Sequence, residues 1–340
     1  MFSDMLKRQL EQEVVGQPRA VDRLVRAVTL ARSGIPRQGP LGIFLFMGPS
    51  GTGKTHLARV LTRTLHGEES RLVVADMASG IESSPWASII GQIAPLFALP
   101  GPTPAAPAAA PPMSVVLLEQ LEKARPEVVR RLAMVLETGQ FLLPDRRRAS
   151  LHNTFVIMTS NLCERQILDE GHGIGFRADS DENERRRVFE ACFDAASKQW
   201  GADFLGRLDD FIIFHRLDEA SLEAILDRHL ERLTAFLAAR GIGLEVLAPA
   251  RRFLLGKGSQ DARCGARLLV RAVTWHLEFP IADLLASGRL LPQMRVVVDH
   301  READKHLHFV VPEEGAVHVP GPGEPVGRPI AVRWDDAALA

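Results

Sequence analysis

The chain has 340 residues, 46% of them hydrophobic and 24% charged, with a formal net charge of -1. That length favours two domains with ample core, and the even charge balance argues for neither a nucleic-acid binder nor a membrane-surface protein. No apolar run reaches membrane-spanning length, and the first residues are charged and amphipathic without signal-peptide features, so a cytoplasmic location is the default expectation.

Residues 3–33 read as two helices broken at Val14-Val15-Gly16-Gln17-Pro18. The second, over 19–32, sets Val21, Leu24, Val25, Val28 and Leu30 at mostly helical spacing and ends at Gly34 and Pro36. Leu41 to Met47 is a short apolar run of strand composition, followed by Gly48-Pro49-Ser50-Gly51-Thr52-Gly53-Lys54-Thr55 and then, from His56, an amphipathic helix. This is the phosphate-loop pattern Gly-x-x-x-x-Gly-Lys-Ser/Thr with strand and helix in place. Gly48, Gly51 and Gly53 tolerate positive φ and carry no Cβ, so successive backbone N–H groups can turn inward around a phosphate chain at the positive end of a helix. Lys54 would reach the β and γ phosphates as a point charge, and the Thr55 hydroxyl would ligate Mg²⁺.

A second strand is expected over 71–76, ending in Asp76, and the alternation of strand and helix points to a parallel α/β sheet. Residues 100–112 form a Pro/Ala tract that cannot be a central strand or a regular helix and reads as an exposed loop. Ser114 to Leu118 is a buried-strand run ending in Glu119-Gln120, with a helix expected from there to about Glu137. Thr154 to Met158 is another, ending in Thr159-Ser160-Asn161; polar residues at such strand ends are where an open α/β sheet carries its ligand chemistry.

Residues 164–200 are charged and helical, and the run Arg185-Arg186-Arg187, among glutamates, reads as a solvated face before a nucleic-acid contact. Asp210 to Phe214 is expected as the last strand of the sheet. From Asp218 helices over 219–240 and 262–285 alternate with extended segments over 244–247, 293–299 and 307–311, the pattern of a smaller α+β domain; the Pro/Gly-rich residues beyond Pro312 read as a tail without activity. Cys163, Cys192 and Cys264 lack metal-ligand or redox spacing and read as free thiols, and His300, His306 and His308 as surface or strand histidines.

The stretches VVGQPRAV, GPSGTGKTHLA, SVVLLEQLEKARPEV, NTFVIMTSNL, FLGRLDDFIIFHRL and CGARLLVRAV, in this order over residues 5 to 310, resemble one ATPase module of the AAA+ superfamily. The likeness is to the second module of the Clp (ClpA/ClpB) unfolding chaperones. It implies a large P-loop domain over 1–214, a parallel sheet flanked by helices, a small helical α+β lid over 215–311 and a tail over 312–340. It also implies ATP and Mg²⁺ as ligands. By resemblance, Val15 and Gly16 hold adenine, Gly48 to Thr55 with His56 form the phosphate cradle, and Thr55 and Glu119 serve the metal. Asn161 matches the sensor-one residue that orients the attacking water, Arg207 the arginine finger presented to a neighbouring subunit, and Arg267 the sensor-two arginine of the lid. Such a finger implies a ring or helical oligomer, a hexamer by family expectation or a mixed ring, acting on a protein substrate or partner.

Two positions depart from the family. Its Walker B strand ends in Asp-Glu, whereas this chain has Glu119-Gln120. Glu119 can still serve the metal with a longer arm, but an amide has no basicity near neutral pH, so the general-base contribution of about 10²- to 10⁴-fold is expected to be lost at Gln120. Glu122 could substitute in principle and is expected to face elsewhere. The family's Gly-aromatic-Val-Gly pore loop is also missing: the region runs from Ile90 to Phe97 into the Pro/Ala tract, and the chain has no Tyr, leaving Phe97 as an aromatic grip or a packing residue. Whether ATP is hydrolysed is therefore left open between a remodelling ATPase and an ATP-gated assembly scaffold. A DNA-associated ATPase is the minor third reading, because Arg146-Arg147-Arg148 could face a pore; a solvated turn is the better explanation of that run.

Overall fold

The computed structural model describes residues 2–67, 72–78, 85–94, 113–143, 146, 148–168, 180–302, 304–311 and 329–330. Phe97, the Pro/Ala tract, Arg147 and the rest of the tail lie outside the described residues. The chain divides into two compact units, Met1–Arg216 and Leu217–Ala340.

In chain order the first unit comprises α1 (Phe2–Glu13), α2 (Pro18–Arg32), β1 (Gly42–Met47), α3 (Lys54–His66), β2 (Leu72–Asp76), α4 (Pro85–Ile93), β3 (Ser114–Glu119), α5 (Pro126–Thr138), β4 (Gln140–Leu142), β5 (Arg148–Ser150), β6 (Thr154–Ser160), α6 (Glu164–Leu168), α7 (Ser180–Trp200), α8 (Ala202–Leu205) and β7 (Asp210–Ile213). Five of these strands form one sheet in the order β2-β3-β6-β1-β7, and every neighbouring pair in it is parallel. The central strands β1 and β6 are buried at every position, as continuous apolar runs in a two-sided parallel sheet must be. Successive side chains of β1 feed opposite faces: Ile43, Leu45 and Met47 pack with Leu132 and Leu136 of α5, and Phe44 and Phe46 with Leu24, Val28 and Leu57 of α2 and α3.

Three elements differ from the sequence expectation for local reasons. The helix expected directly after Gln120 is instead a 3-10 turn, Leu121–Lys123, followed by α5 from Pro126. Proline fits a helix's first turn and forces the residue before it into an extended conformation, here Arg125 at φ -66°, ψ 147°. Helix α4 and the antiparallel β4–β5 hairpin were not expected; the hairpin's strands are three residues each, too short for alternation to register.

The second unit contains α9 (Glu219–Ala238), β8 (Gly243–Val246), α10 (Ala248–Gly258), α11 (Ala266–Val273), α12 (Phe279–Ala286), β9 (Arg295–Asp299), β10 (His308–Val310) and β11 (Pro329–Ile330). Its sheet runs β11-β10-β9-β8, so a two-residue piece of the tail pairs with β10. The single helix expected over 262–285 is interrupted by a π-helical turn, Thr274–Glu278. Pro280 follows it and lacks an N–H, and its ring would crowd a regular preceding turn, which the wider turn relieves. Helix α10, also unexpected, packs so closely on α11 that a Cβ on Gly258 would lie 2.7 Å from Leu269 Cβ and 2.9 Å from its Cα. Gly258→Ala is therefore expected to destabilise this unit by about 1–3 kcal/mol, read as faster hydrogen exchange of α10 and α11 amides. Unchanged exchange would show that the helices part without cost.

Candidate functional site

The strand order sets the carboxyl ends of β3, β6 and β1 side by side, the edge where parallel sheets place ligands. The phosphate loop leaves β1 there. Gly48 N–H donates to Ser160 O at 3.2 Å, and Phe214 N–H donates to Met47 O at 2.7 Å, so the loop's first residue is wedged against β7's exit. A Cβ on Gly48 would come within 2.4 Å of Phe214 O, which leaves glycine as the residue that fits. Gly51 (φ 73°) and Gly53 (φ 102°) then turn the chain into α3, while the buried Thr52 hydroxyl donates to Pro49 O at 2.8 Å and closes the loop on itself. Ser50 is half-buried.

Lys54 is buried, 7% exposed, with its ammonium donating to Gly48 O and Pro49 O at 2.7 Å each and to Asn161 Oδ1 at 2.8 Å. Asn161 follows β6, the strand between β1 and β3, so the sheet order itself delivers it to the lysine. On the β3 side, the Thr55 hydroxyl donates to Glu119 Oε1 at 2.5 Å. Four of the residues singled out in the sequence are thus joined in two pairs.

This arrangement fits a magnesium-bound triphosphate. Gly53 gives α3 no side-chain cap, so the first-turn N–H donors keep their positive end toward the loop. Lys54 is bonded to uncharged oxygens here, acceptors weaker than a phosphate oxygen. A hydroxyl and a carboxylate are hard oxygen ligands of the kind Mg²⁺ uses beside substrate phosphates. Among the described residues no group of three or more His, Cys, Asp or Glu could hold a metal.

Gln120 sits at φ 60°, ψ 48°, a left-handed conformation that is strained for a non-glycine residue and turns the chain sharply at the end of β3. Its Oε1 accepts from Lys123 Nζ, and its Nε2 donates to Asp76 Oδ1 at 3.3 Å. Asp76 was seen in the sequence only as a strand end; its pairing opposite Glu119 across β2 and β3 depends on the strand order. Glu122 has a buried Oε2 without a hydrogen-bond partner.

Val15 and Gly16 (φ 75°) form the turn between α1 and α2. The neighbouring Gln17, 3% exposed, fixes that turn: its amide donates to Thr52 O at 3.3 Å and His215 O at 2.8 Å, and its Oε1 accepts from His215 N at 3.2 Å. Sequence reasoning passed over Gln17; the signal was an uncharged polar residue immediately before a helix-starting proline. The exposed His56 places Nε2 3.0 Å from Glu13 O, tying α3 to the end of α1.

Arg207 belongs to neither pair. Its guanidinium donates to Glu137 Oε2 from Nη2 at 2.8 Å and from Nε at 3.2 Å, and from Nη1 to Asp203 O. The residue two positions on anchors the segment to β1, since Asp209 Oδ2 accepts from Ile43 N at 2.8 Å and Asp209 also pairs with Arg37. Arg207 lines an open cleft of about 430 Å³ with Val129, Met134, Trp200 and Phe204. In the second unit, Arg267 is exposed on the first turn of α11, after Gly265 at φ 51°. Arg146, at φ 67°, lies between β4 and β5, and Arg148 is exposed within β5. Among the described residues no helix is long and apolar enough to cross a membrane.

Residues 39–211 match the family described as AAA domain (Cdc48 subfamily), and residues 217–298 match the C-terminal, D2-small domain of ClpB protein. The chain is 31% identical over 298 residues to the ATP-dependent Clp protease ATP-binding subunit ClpC of Staphylococcus aureus (strain USA300), covering 87% of this chain and 36% of that protein. The subunit of the same name from Staphylococcus epidermidis (strain ATCC 12228 / FDA PCI 1200) shows the same identity and coverage, 31% over 298 residues. The chain thus spans 36% of the length of these curated relatives.

Proposed function

The chain belongs to the Clp-type AAA+ ATPases, and from that membership we propose that it is an ATP-binding module that assembles through Arg207 and hydrolyses slowly because of Gln120. The observation that carries the reading is the joining of Lys54 to Asn161 and of Thr55 to Glu119 across three adjacent strand ends. The relatives' names state ATP dependence and ATP binding; in this chain the residues that would serve both are these four and the loop backbone.

The loop N–H groups and Lys54 would hold the phosphates, with Val15 and Gly16 against the base. Thr55 and Glu119 would hold Mg²⁺, which when bound neutralises charge on the β and γ oxygens. Asn161, released from Lys54 by the phosphates, would be left to orient water, and Arg267 keeps the sensor-two role that the resemblance gives it. Arg207 pairs with Glu137 and has no part in the Lys54–Asn161 or Thr55–Glu119 pairs, which favours a role at a neighbour's site and hence a homo-oligomer, a hexameric ring or a mixed one, working on a protein partner. Gln120, held between Lys123 and Asp76, favours a second reading in which occupancy drives assembly and hydrolysis is incidental.

Calorimetry of the chain with Mg²⁺ and ATP tests the first step. Lys54→Ala removes charge-assisted hydrogen bonds worth about 1.5–3 kcal/mol and is expected to weaken uptake by about 100-fold. Equal uptake by both proteins would remove the loop from the site.

A further inference from the structure

Gln17 ties two parts of the candidate site together without building either. It is 3% exposed, and both ends of its carboxamide bond to backbone: Nε2 donates to His215 O at 2.8 Å and to Thr52 O at 3.3 Å, while Oε1 accepts from His215 N–H at 3.2 Å. Among neutral side chains only a carboxamide offers two donors and an acceptor at one tip. Thr52 belongs to the phosphate loop, and His215 lies just past β7. Two further contacts bring the same turn to the loop's exit into α3. Val14 Cγ1 lies 3.8 Å from where a Cβ on Gly53 would stand, and His56 Nε2 lies 3.0 Å from Glu13 O. Val14 is buried, whereas Val15 is half-buried and Gly16 exposed, so these two are the part of the turn that a ligand can touch. The loop keeps its shape by other bonds, from Thr52 Oγ1 to Pro49 O at 2.8 Å and from Gly48 N–H to Ser160 O at 3.2 Å.

We propose that Gln17 is the positioning residue that makes base and phosphate recognition cooperative, by holding the Val15-Gly16 turn in register with the phosphate loop. The assignment rests on the reading of residues 48–55 as the triphosphate site and of Val15 and Gly16 as the seat of the base. With the turn fixed in advance, a nucleotide whose phosphates fill the loop meets its base contacts already placed, and binding does not have to order them. Without the glutamine the loop still takes the phosphates. The base's share of the affinity falls, because the turn must then be ordered at the moment of binding.

Calorimetry on the full chain tests this by comparing ATP with ribose 5-triphosphate, which lacks only the base, each with Mg²⁺, in the wild type and in Gln17→Met. Methionine keeps the length and the unbranched stem while removing the three hydrogen bonds. ATP affinity is expected to fall about 10-fold with ribose 5-triphosphate affinity within about twofold, so the preference for ATP shrinks by at least about fivefold. Equal weakening of both ligands would mark a residue that merely supports the loop, and no change in either would show the turn held without it; each overturns the assignment. If Gln17→Met fails to fold, as read by thermal unfolding, Gln17→Glu is judged by the same ratio, since it keeps the acceptor for His215 N–H and loses both donors. A wild type that binds both ligands through Lys54 with equal affinity overturns this assignment and leaves the loop reading intact. One that takes up neither overturns the loop reading, and this assignment with it.

Discussion

Gln120→Glu is expected to raise ATP turnover by about 10²- to 10⁴-fold while leaving nucleotide affinity nearly unchanged, the range a positioned general base contributes. The substitution is isosteric and keeps the reach of the side chain, and the turn at φ 60°, ψ 48° accepts either residue equally. Glutamate keeps an oxygen for Lys123 and gains a carboxylate, while the lysine offsets repulsion from Asp76. Nothing else in the loop needs to move. Steady-state phosphate release, measured beside the wild type at saturating ATP, checks it. A rate that stays at the wild-type level would mean that the missing base is not what limits this chain, and the assembly-scaffold reading would then gain.

The second large effect falls on Arg207. In the Gln120→Glu background, where there is a rate to lose, Arg207→Ala is expected to lower turnover by about 10³- to 10⁵-fold, the worth of a cation supplied to the γ-phosphate by another subunit. Arg207 is at present paired with Glu137 on its own chain, with side-chain exposures of 29% and 62%. A pair so exposed is worth about 0.2–1 kcal/mol, so a neighbour's phosphates can displace it at little cost. Mixing provides the decisive measurement. Chains carrying Arg207→Ala retain a sound loop, and chains carrying Lys54→Ala retain a sound finger; if the arginine works across subunits, the mixture recovers activity that neither has alone. Recovery absent at every ratio, with mixed oligomers present, would place the arginine's action within its own chain or nowhere.

The contrast between Lys54 and Asp76 shows what could be read from sequence. The strand, loop and helix around Lys54 are contiguous, so the glycine spacing and flanking apolar runs were enough to place them, and the buried runs of β1, β3 and β6 announced a parallel sheet. Asp76 acquires meaning only from a partner 44 positions away, through the adjacency of β2 and β3, which no local pattern encodes. Gln17 is similar: its partners His215 and Thr52 are distant in the chain and offer backbone atoms, which carry no sequence signature. Helix α10 was missed because two glycines and a proline dilute its apolar spacing, and the π-turn because hydrophobic periodicity continues across it. The arginine at 207 was legible by resemblance, but its Glu137 clamp was not, since both are surface residues with no periodic reason to meet.

The amide of Gln17 has a bearing on timing. It brackets His215 through both backbone groups and grips the loop at Thr52, and His215 is two residues short of Leu217, where the second unit begins. Any shift of the loop on filling must drag that departing residue along or forfeit a buried hydrogen bond, a loss of about 1–3 kcal/mol. Filling of the loop and the position of His215 are therefore geared together, with one glutamine as the tooth.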